Sequence, residues 1–309
     1  MSQTERRAGP PQASEHPLGG QRSTRSDQRG GSDAIGVFDS GIGGLSVLQA
    51  LQAALPLEHF VYLDDSAFAP YGERGDAHVV QRSRAITQYL RQTHGIKALV
   101  IACNTATMAA VALLRAEHPD LPIVGVEPGL KPAAAASQTK RVGVIGTRGT
   151  VTSAKFNALQ LSLQDQAEFI VQPCDGLADA ISRSVASGDD TKTIALCADY
   201  ISAMGRFGLN PGEIDTLVLG CTHYVFAQAH MEQLVGPQVR ILSTGKPVAR
   251  RTRQLLEAGD VLHSGPGGLQ LLTTGEAAVL QAAAQRWLGL SAQHGAQAAH
   301  VHIDSRPAL

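Results

Sequence analysis

Two short apolar runs, Ala98-Leu99-Val100-Ile101-Ala102 and Thr216-Leu217-Val218-Leu219-Gly220, each end on a cysteine and pass at once into residues that open helices. The continuations are Cys103-Asn104-Thr105-Ala106 and Cys221-Thr222-His223-Tyr224. Each run is too short for a buried helix and lacks polar alternation, which is the pattern of a strand covered on both faces in a parallel sheet. The small polar residues that follow are of the kind that cap a helix N-terminus. In an open α/β sheet this carboxyl edge of the strands is where ligands bind. The chain is therefore constrained to an α/β fold that carries two thiols at strand ends. Opposed across one pocket, two such thiols suit a reaction in which one removes a proton and the other returns it on the opposite face.

The rest of the sequence repeats the alternation. A buried strand at Ile35-Gly36-Val37-Phe38 leads into the turn Asp39-Ser40-Gly41-Ile42-Gly43-Gly44, and a helix over Leu45–Leu55 stops at Pro56. A strand at Phe60–Leu63, a helix near Ala77–Thr93, the strand into Cys103, a helix to about Glu117 and a strand at Ile123–Val126 follow. After the alanine-rich stretch Ala133–Ala136, the segment Arg141-Val142-Gly143-Val144-Ile145-Gly146-Thr147 restarts the pattern of Ala34-Ile35-Gly36-Val37-Phe38-Asp39-Ser40. The pattern predicts two pseudo-symmetric, doubly wound α/β lobes with mostly parallel sheets, one cysteine per lobe and the site between them. A length of 309 residues is compatible with two domains. The units from Val239–Leu242 onward, with Pro247–Glu257, Leu269–Thr273 and Gly275–Leu288, read as a return toward the first lobe. The expected division is a disordered extension at 1–33, a first lobe at 34–127 plus 243–290, a second at 128–242, and a flexible tail at 291–309.

Composition excludes several function classes. A net charge of -1 gives no electrostatic case for nucleic acid or an anionic membrane. The basic cluster Arg250-Arg251-Thr252-Arg253 has the spacing of a solvated helix face. Four cysteines without CxxC spacing make neither a disulfide framework nor a metal site, so reduced, cytoplasmic thiols are expected. The Ser/Gln/Arg/Gly-rich residues 1–33 contain no apolar core for a signal peptide or a membrane span. His300 and His302 have no third ligand nearby, and no metal is expected.

Taken singly, the motifs keep more than one reading. Asp39, at a strand end, can orient a neighbouring group or accept a proton, and it can equally be a turn aspartate capping the next helix. Gly41-Ile42-Gly43-Gly44 begins like a dinucleotide fingerprint, but Ser46 stands at the third glycine and only Asp64 or Asp65 is placed to meet a ribose. Cys103 followed by Asn104 and Thr105 fits either a buried small hydrophobe or a thiol beside an oxyanion site. His223, two residues beyond Cys221, is a candidate proton partner for that thiol or a structural histidine. Pro70-Tyr71-Gly72 reads as an ordinary turn or as a loop whose tyrosine hydroxyl and backbone N–H groups close over a ligand. Cys174 and Cys197 have no such neighbours and read as structural.

Together the segments VFDSGIGGLSVL (37–48), PYGER (70–74), VIACNTAT (100–107), VGVEPGLKPA (124–133), GTRGTV (146–151) and LGCTHY (219–224) resemble the bacterial glutamate racemases, over most of residues 35–255. The resemblance implies cofactor-independent racemisation of glutamate for peptidoglycan, a two-lobed fold and a homodimer. It implies Cys103 as the base for D-glutamate and Cys221 as the base for L-glutamate, assisted by Asp39 and His223 respectively. It also implies that Ser40, Asn104, Thr105 and Thr222 hold the amino and carboxyl groups, and that Pro70, Tyr71 and Gly72 meet the side-chain carboxylate. Lys131 and Lys155 lie outside the cysteine motifs, so no Schiff-base cofactor is expected. The chain departs from the family pattern at Ser182, Val225 and Ser243, where many members have glutamate, proline and aspartate. The extension at 1–33 is similar to the branch of the family in which a peptidoglycan precursor activates the enzyme. Competing readings are a related two-cysteine racemase for aspartate or hydantoins and a catalytically silent binding protein of the same fold.

Overall fold

Runs of Val, Ile and Leu with no polar alternation form strands buried on both faces, and the amphipathic stretches between them form the covering helices. A computed structural model describes residues 34–290 and 296–304, so the extension assigned to residues 1–33 lies outside the described residues. In chain order the elements are β1 (Ile35–Asp39), α1 (Leu45–Ala54), β2 (His59–Asp64), α2 (Asp76–His94), β3 (Ala98–Ile101), α3 (Asn104–Glu117), β4 (Ile123–Gly125) and α4 (Leu130–Ala136). Then come β5 (Arg141–Gly146), α5 (Arg148–Val151), α6 (Ala154–Leu161), β6 (Glu168–Pro173), α7 (Leu177–Ser187), α8 (Thr191–Ala203) and β7 (Thr216–Gly220). The chain continues through a 3-10 segment, Thr222–Ala227, to α9 (Gln228–Val235), β8 (Arg240–Leu242), α10 (Gly245–Ala258), β9 (Gly268–Thr273), α11 (Ala277–Leu288) and β10 (Ala298–His300).

The strands make two sheets, ordered β10-β9-β2-β1-β3-β4 and β6-β5-β7-β8, with parallel pairing in every ladder. The run β2-β1-β3-β4 has the same order as β6-β5-β7-β8, so β3 and β7, which end beside the two cysteines, occupy equivalent places. Each sheet is sandwiched by helices. Ile35, Val37 and Val100 pack under α1, α10 and α11, while Phe38, Leu99 and Ile101 face α2 and α3. Helix α2 ends where Gly95 takes the left-handed conformation at φ 57, a C-cap that costs a residue with a Cβ.

Two expectations need correction. The strand near Val239–Leu242, read as a return toward the first lobe although the expected division kept 128–242 in the second, joins the second sheet: β8 pairs with β7, from Thr216↔Arg240 to Val218↔Leu242. Nor is all of 291–309 a flexible tail. Residues Ala298–His300 pair with Leu271–Thr273 at the edge of the first sheet, and Ile303 is buried in its core. The alternation His300-Val301-His302-Ile303 is a period-two strand pattern hidden among residues of low hydrophobicity.

Candidate active site

The carboxyl ends of β1, β2, β3 and β7 converge on a cavity of about 240 Å³. It is lined by Ser40, Pro70, Tyr71, Gly72, Asn104 and Thr105 from the first sheet's loops, by Thr222 and His223 from the second, and by both Cys103 and Cys221. The structure thus brings together every residue singled out from the sequence except Asp39, which lies just behind Ser40 and is fully buried.

Each thiol sits at the start of a helical segment, where backbone N–H groups have no intrahelical partner. Cys103 is the N-cap of α3, and its sulfur accepts from the Ala106 N–H at 3.5 Å. It also donates to Ser40 Oγ at 3.6 Å. Cys221 precedes the 3-10 segment, whose first N–H groups, at His223 and Tyr224, work against the rise in the thiol's pKa, while the Tyr224 N–H donates to the Cys221 carbonyl at 3.2 Å. His223 Nδ1 lies 3.9 Å from Cys221 Sγ. Burial pushes the Cys103 thiol far up, and the charges of Asp39 and Cys221 add to the rise. Cys221 is pushed up to about 12 by burial and then by the Asp39 charge. Both sulfurs are therefore thiols at neutral pH, and the mutual repulsion disfavours two thiolates at once.

Asp39 is held from both sheets. Its Oδ1 accepts from the Ser40 N–H at 2.7 Å and from Ser40 Oγ at 3.3 Å. Its Oδ2 accepts from Thr222 Oγ1 at 3.0 Å, which joins the β1 turn to the segment after Cys221. Burial raises its pKa to about 6, against the lowering effect of hydrogen bonds from Cys103, Ser40 and Thr222. His223 is buried and its pKa is lowered to about 4, so the ring is neutral near pH 7.

Glycine at Gly43 is required by this ring. A Cβ there would stand 2.3 Å from His223 Nδ1, closer than any real contact. Gly43→Ala is expected to displace the imidazole from Cys221 and lower kcat/KM for glutamate by about 10²-fold, the scale of an ångström-sized misplacement. Racemisation has an equilibrium constant of one, so the loss must be equal in both directions. Hydrogen exchange into the L-isomer slows more than into the D-isomer if the Cys221 side alone is disturbed. Steady-state and exchange rates on the folded variant check this, and a near wild-type rate would remove the importance of the His223 position.

The loop reading changes in one respect. The Tyr71 hydroxyl does not face a ligand: it donates to Asp65 Oδ2 at 2.5 Å, and Tyr71 is buried. Asp65 also receives Arg82 Nη2 at 2.7 Å and Nε at 2.9 Å, while Arg82 Nη1 donates to the Ile303 carbonyl at 3.0 Å. The turn 70–72 is thereby tied to α2 and to the segment that follows β10. Gly72 packs against Thr147 so closely that a Cβ would meet the Thr147 Cβ at 2.6 Å.

The sequence reading missed Thr147, which lines the cavity and hydrogen-bonds Thr105 Oγ1 at 3.0 Å. The repeat Arg141–Thr147 holds the signal, since Thr147 stands where Ser40 stands in the first copy. Of the departures, Ser182 lines the cavity from α7, Val225 lies in the 3-10 segment, and Ser243 lines a separate groove between β4, β8 and α10. Cys174 and Cys197 are free and buried in the second core. Among the described residues no cluster of His, Cys, Asp and Glu has the makings of a metal site, and no helix is long and apolar enough to cross a membrane.

The chain is similar to known proteins over most of its length. The family model for Asp/Glu/Hydantoin racemase matches residues 35–252. A glutamate racemase of Pseudomonas entomophila is 46% identical over 237 residues, covering 76% of this chain and 86% of the relative. A glutamate racemase crystal structure from Bacillus anthracis superposes with a TM-score of 0.76 at 29% identity, covering 87% of this chain and 97% of that one. The Escherichia coli glutamate racemase, crystallised with L-glutamate and the activator UDP-MurNAc-Ala, gives a TM-score of 0.74 at 29% identity, with the same coverages. With two strand-end cysteines facing one cavity, and with matches spanning both sheets, the chain belongs to the Asp/Glu/Hydantoin racemase family.

Proposed function

We propose that this chain is a glutamate racemase that interconverts L- and D-glutamate by a two-base mechanism, with Cys103 and Cys221 as the bases. The observation that carries the reading is the cavity with a cysteine at the end of β3 and another at the end of β7, each at a helical N-terminus. The relatives named glutamate racemase support glutamate over aspartate or hydantoins.

In the L-to-D direction Cys221 enters as thiolate and removes the α-proton, and Cys103 enters as thiol and delivers its own proton to the opposite face. The cycle ends with the protonation states exchanged, and solvent resets them. Since burial holds both thiols high, the thiolate forms only when the substrate's positive ammonium and the N–H groups at Ala106, His223 and Tyr224 offset that burial. Asp39, hydrogen-bonded to Ser40 and next to Cys103, assists that side, and neutral His223 assists Cys221. Charge developing on the α-carboxylate is met by hydroxyl, amide and backbone N–H donors from Ser40, Asn104, Thr105 and Thr222. The turn Pro70-Tyr71-Gly72 receives the side-chain carboxylate through its backbone. Proton transfer between positioned groups accounts for every step, and none is routed through a cofactor.

The reading extends to a cytoplasmic enzyme that supplies D-glutamate to peptidoglycan, works as a homodimer and responds to a UDP-linked muramyl precursor. The E. coli relative crystallised with such an activator supports the last point. The first test incubates the purified chain with L-glutamate in D₂O and follows optical rotation and α-proton NMR. Loss of rotation with deuterium arriving chiefly in the D-product is expected. No exchange with glutamate, but exchange with aspartate or a hydantoin, would transfer the assignment to that substrate.

A further inference from the structure

Asp64 is the last residue of β2, in register with Asp39 on β1 and with Thr273 on β9. It lines the cavity and is 1% exposed. Its Oδ2 accepts from Ser66 Oγ and from Thr273 Oγ1, each at 3.1 Å. Its Oδ1 is buried and has no hydrogen-bond partner among the described residues. An orphaned carboxylate oxygen is costly, and it is informative when it borders a ligand cavity.

The composition of the wall narrows what that oxygen waits for. Among the described residues no Lys or Arg lines the cavity, so both carboxylates of a dicarboxylic amino acid are left to neutral N–H and O–H donors. The wall has many of those. It is poor in uncommitted acceptors, which the three N–H bonds of an ammonium require. Asp39 spends its oxygens on Ser40 and Thr222. Asp179 is partly exposed and pairs with Arg183. Among the described residues lining the cavity, the buried oxygens without a partner are Asn104 Oδ1 and Asp64 Oδ1, and the second carries the charge.

We propose that Asp64 is a further substrate-binding residue, whose Oδ1 accepts a hydrogen bond from the ammonium group of the amino-acid substrate and so selects amino acids over deaminated dicarboxylates. This rests on the reading of the cavity as an amino-acid racemase site. It also gives an acidic limb to binding. Burial, with the charges of Asp39 and Asp65 adding, raises Asp64 to about 7, so the acceptor is lost as pH falls through neutrality. The other titratable groups facing this corner are Asp39 from β1, Tyr62 and Asp65 from β2 and its continuation, and Cys103 beyond β3, while β9 and the residue after it present the hydroxyls of Thr273 and Thr274.

The test compares D-glutamate with glutarate, which keeps both carboxylates and lacks the ammonium, on the full chain and on Asp64→Asn and Asp64→Ser. Affinities come from calorimetry and KM from racemisation, with thermal melts to verify folding. Wild type is expected to prefer D-glutamate and to bind it more weakly below pH 7. Either variant is expected to lose about tenfold or more in D-glutamate affinity, the scale of a hydrogen bond to a charged group, and to hold glutarate within about twofold. The weakening of binding between pH 7 and 6 is expected to disappear as well. Unchanged D-glutamate binding, or equal losses for both ligands, overturns the assignment. A wild-type chain that binds D-glutamate without racemising it refutes the proposed function instead, and the ligand comparison still decides the role of Asp64.

Discussion

In D₂O, Cys103→Ser is expected to exchange the α-proton of L-glutamate while forming almost no D-isomer, and Cys221→Ser to do the converse, exchanging D-glutamate alone. Removing one thiol leaves the opposite base able to take a proton and give back a deuteron on its own face. Inversion needs an acid on the far face, and a serine hydroxyl is a much poorer one. The rate of inversion is expected to drop by about 10²–10⁴-fold, the range for loss of a positioned acid or base. Both directions must fall together in kcat/KM, so the asymmetry shows only in which isomer takes up deuterium. Exchange of both isomers by either single variant would end the two-base assignment. Inversion at wild-type rate in both variants would end any role for the thiols.

The environment of the sulfurs explains why the asymmetry should be clean. Burial raises both, and a charge on one raises the other, so the site holds at most one thiolate at a time. Each sulfur has its own helix-start N–H groups to lower its pKa, at Ala106 on one side and at His223 and Tyr224 on the other. Deleting one sulfur therefore leaves the stabilisation of the other intact.

What the sequence disclosed follows from the range of the interactions. Cys103 and Cys221 were legible because the signal is local: an apolar strand run, a thiol, then cap residues. The same locality exposed the strand β1 and the turn at Asp39. The orientation of Tyr71 was not legible, because it depends on Asp65 and on Arg82, a cation inside an amphipathic helix that sequence pattern assigns to solvent. Arg82 is instead 1% exposed, with the Phe68 ring 3.6 Å from its guanidinium carbon. The placement of β10 escaped for a related reason, since a three-residue strand does not reveal in its own residues that it will join a sheet. Asp64 differs from Asp65 in nothing that sequence displays, yet one carboxylate is fully paired and the other, in a residue that lines the cavity, keeps a buried oxygen without a partner among the described residues.

The buried Arg82–Asp65 pair sets the largest expected change in stability. Arg82→Met leaves Asp65 inside the protein with the Tyr71 and Thr274 hydroxyls as donors and no countercharge. Stranding one member of a buried pair costs about 3–5 kcal/mol, so a fall in melting temperature of about 10 °C is expected. The same substitution frees the turn that carries Pro70, Tyr71 and Gly72, so the KM for glutamate should rise more than kcat falls in whatever fraction stays folded. Methionine packs acceptably on Phe68, which makes loss of countercharge, rather than loss of volume, the dominant cost. The double variant Arg82→Met, Asp65→Leu separates these causes, because it removes the stranded charge at the expense of the Tyr71 hydrogen bond. Its stability is expected to recover at least half of the loss, as apolar replacement of a buried pair is close to neutral. Thermal and urea unfolding of the three proteins decides the matter. A double variant no more stable than Arg82→Met would mean that the pair acts through shape, and that the anchoring of Tyr71 owes nothing to the charge beneath it.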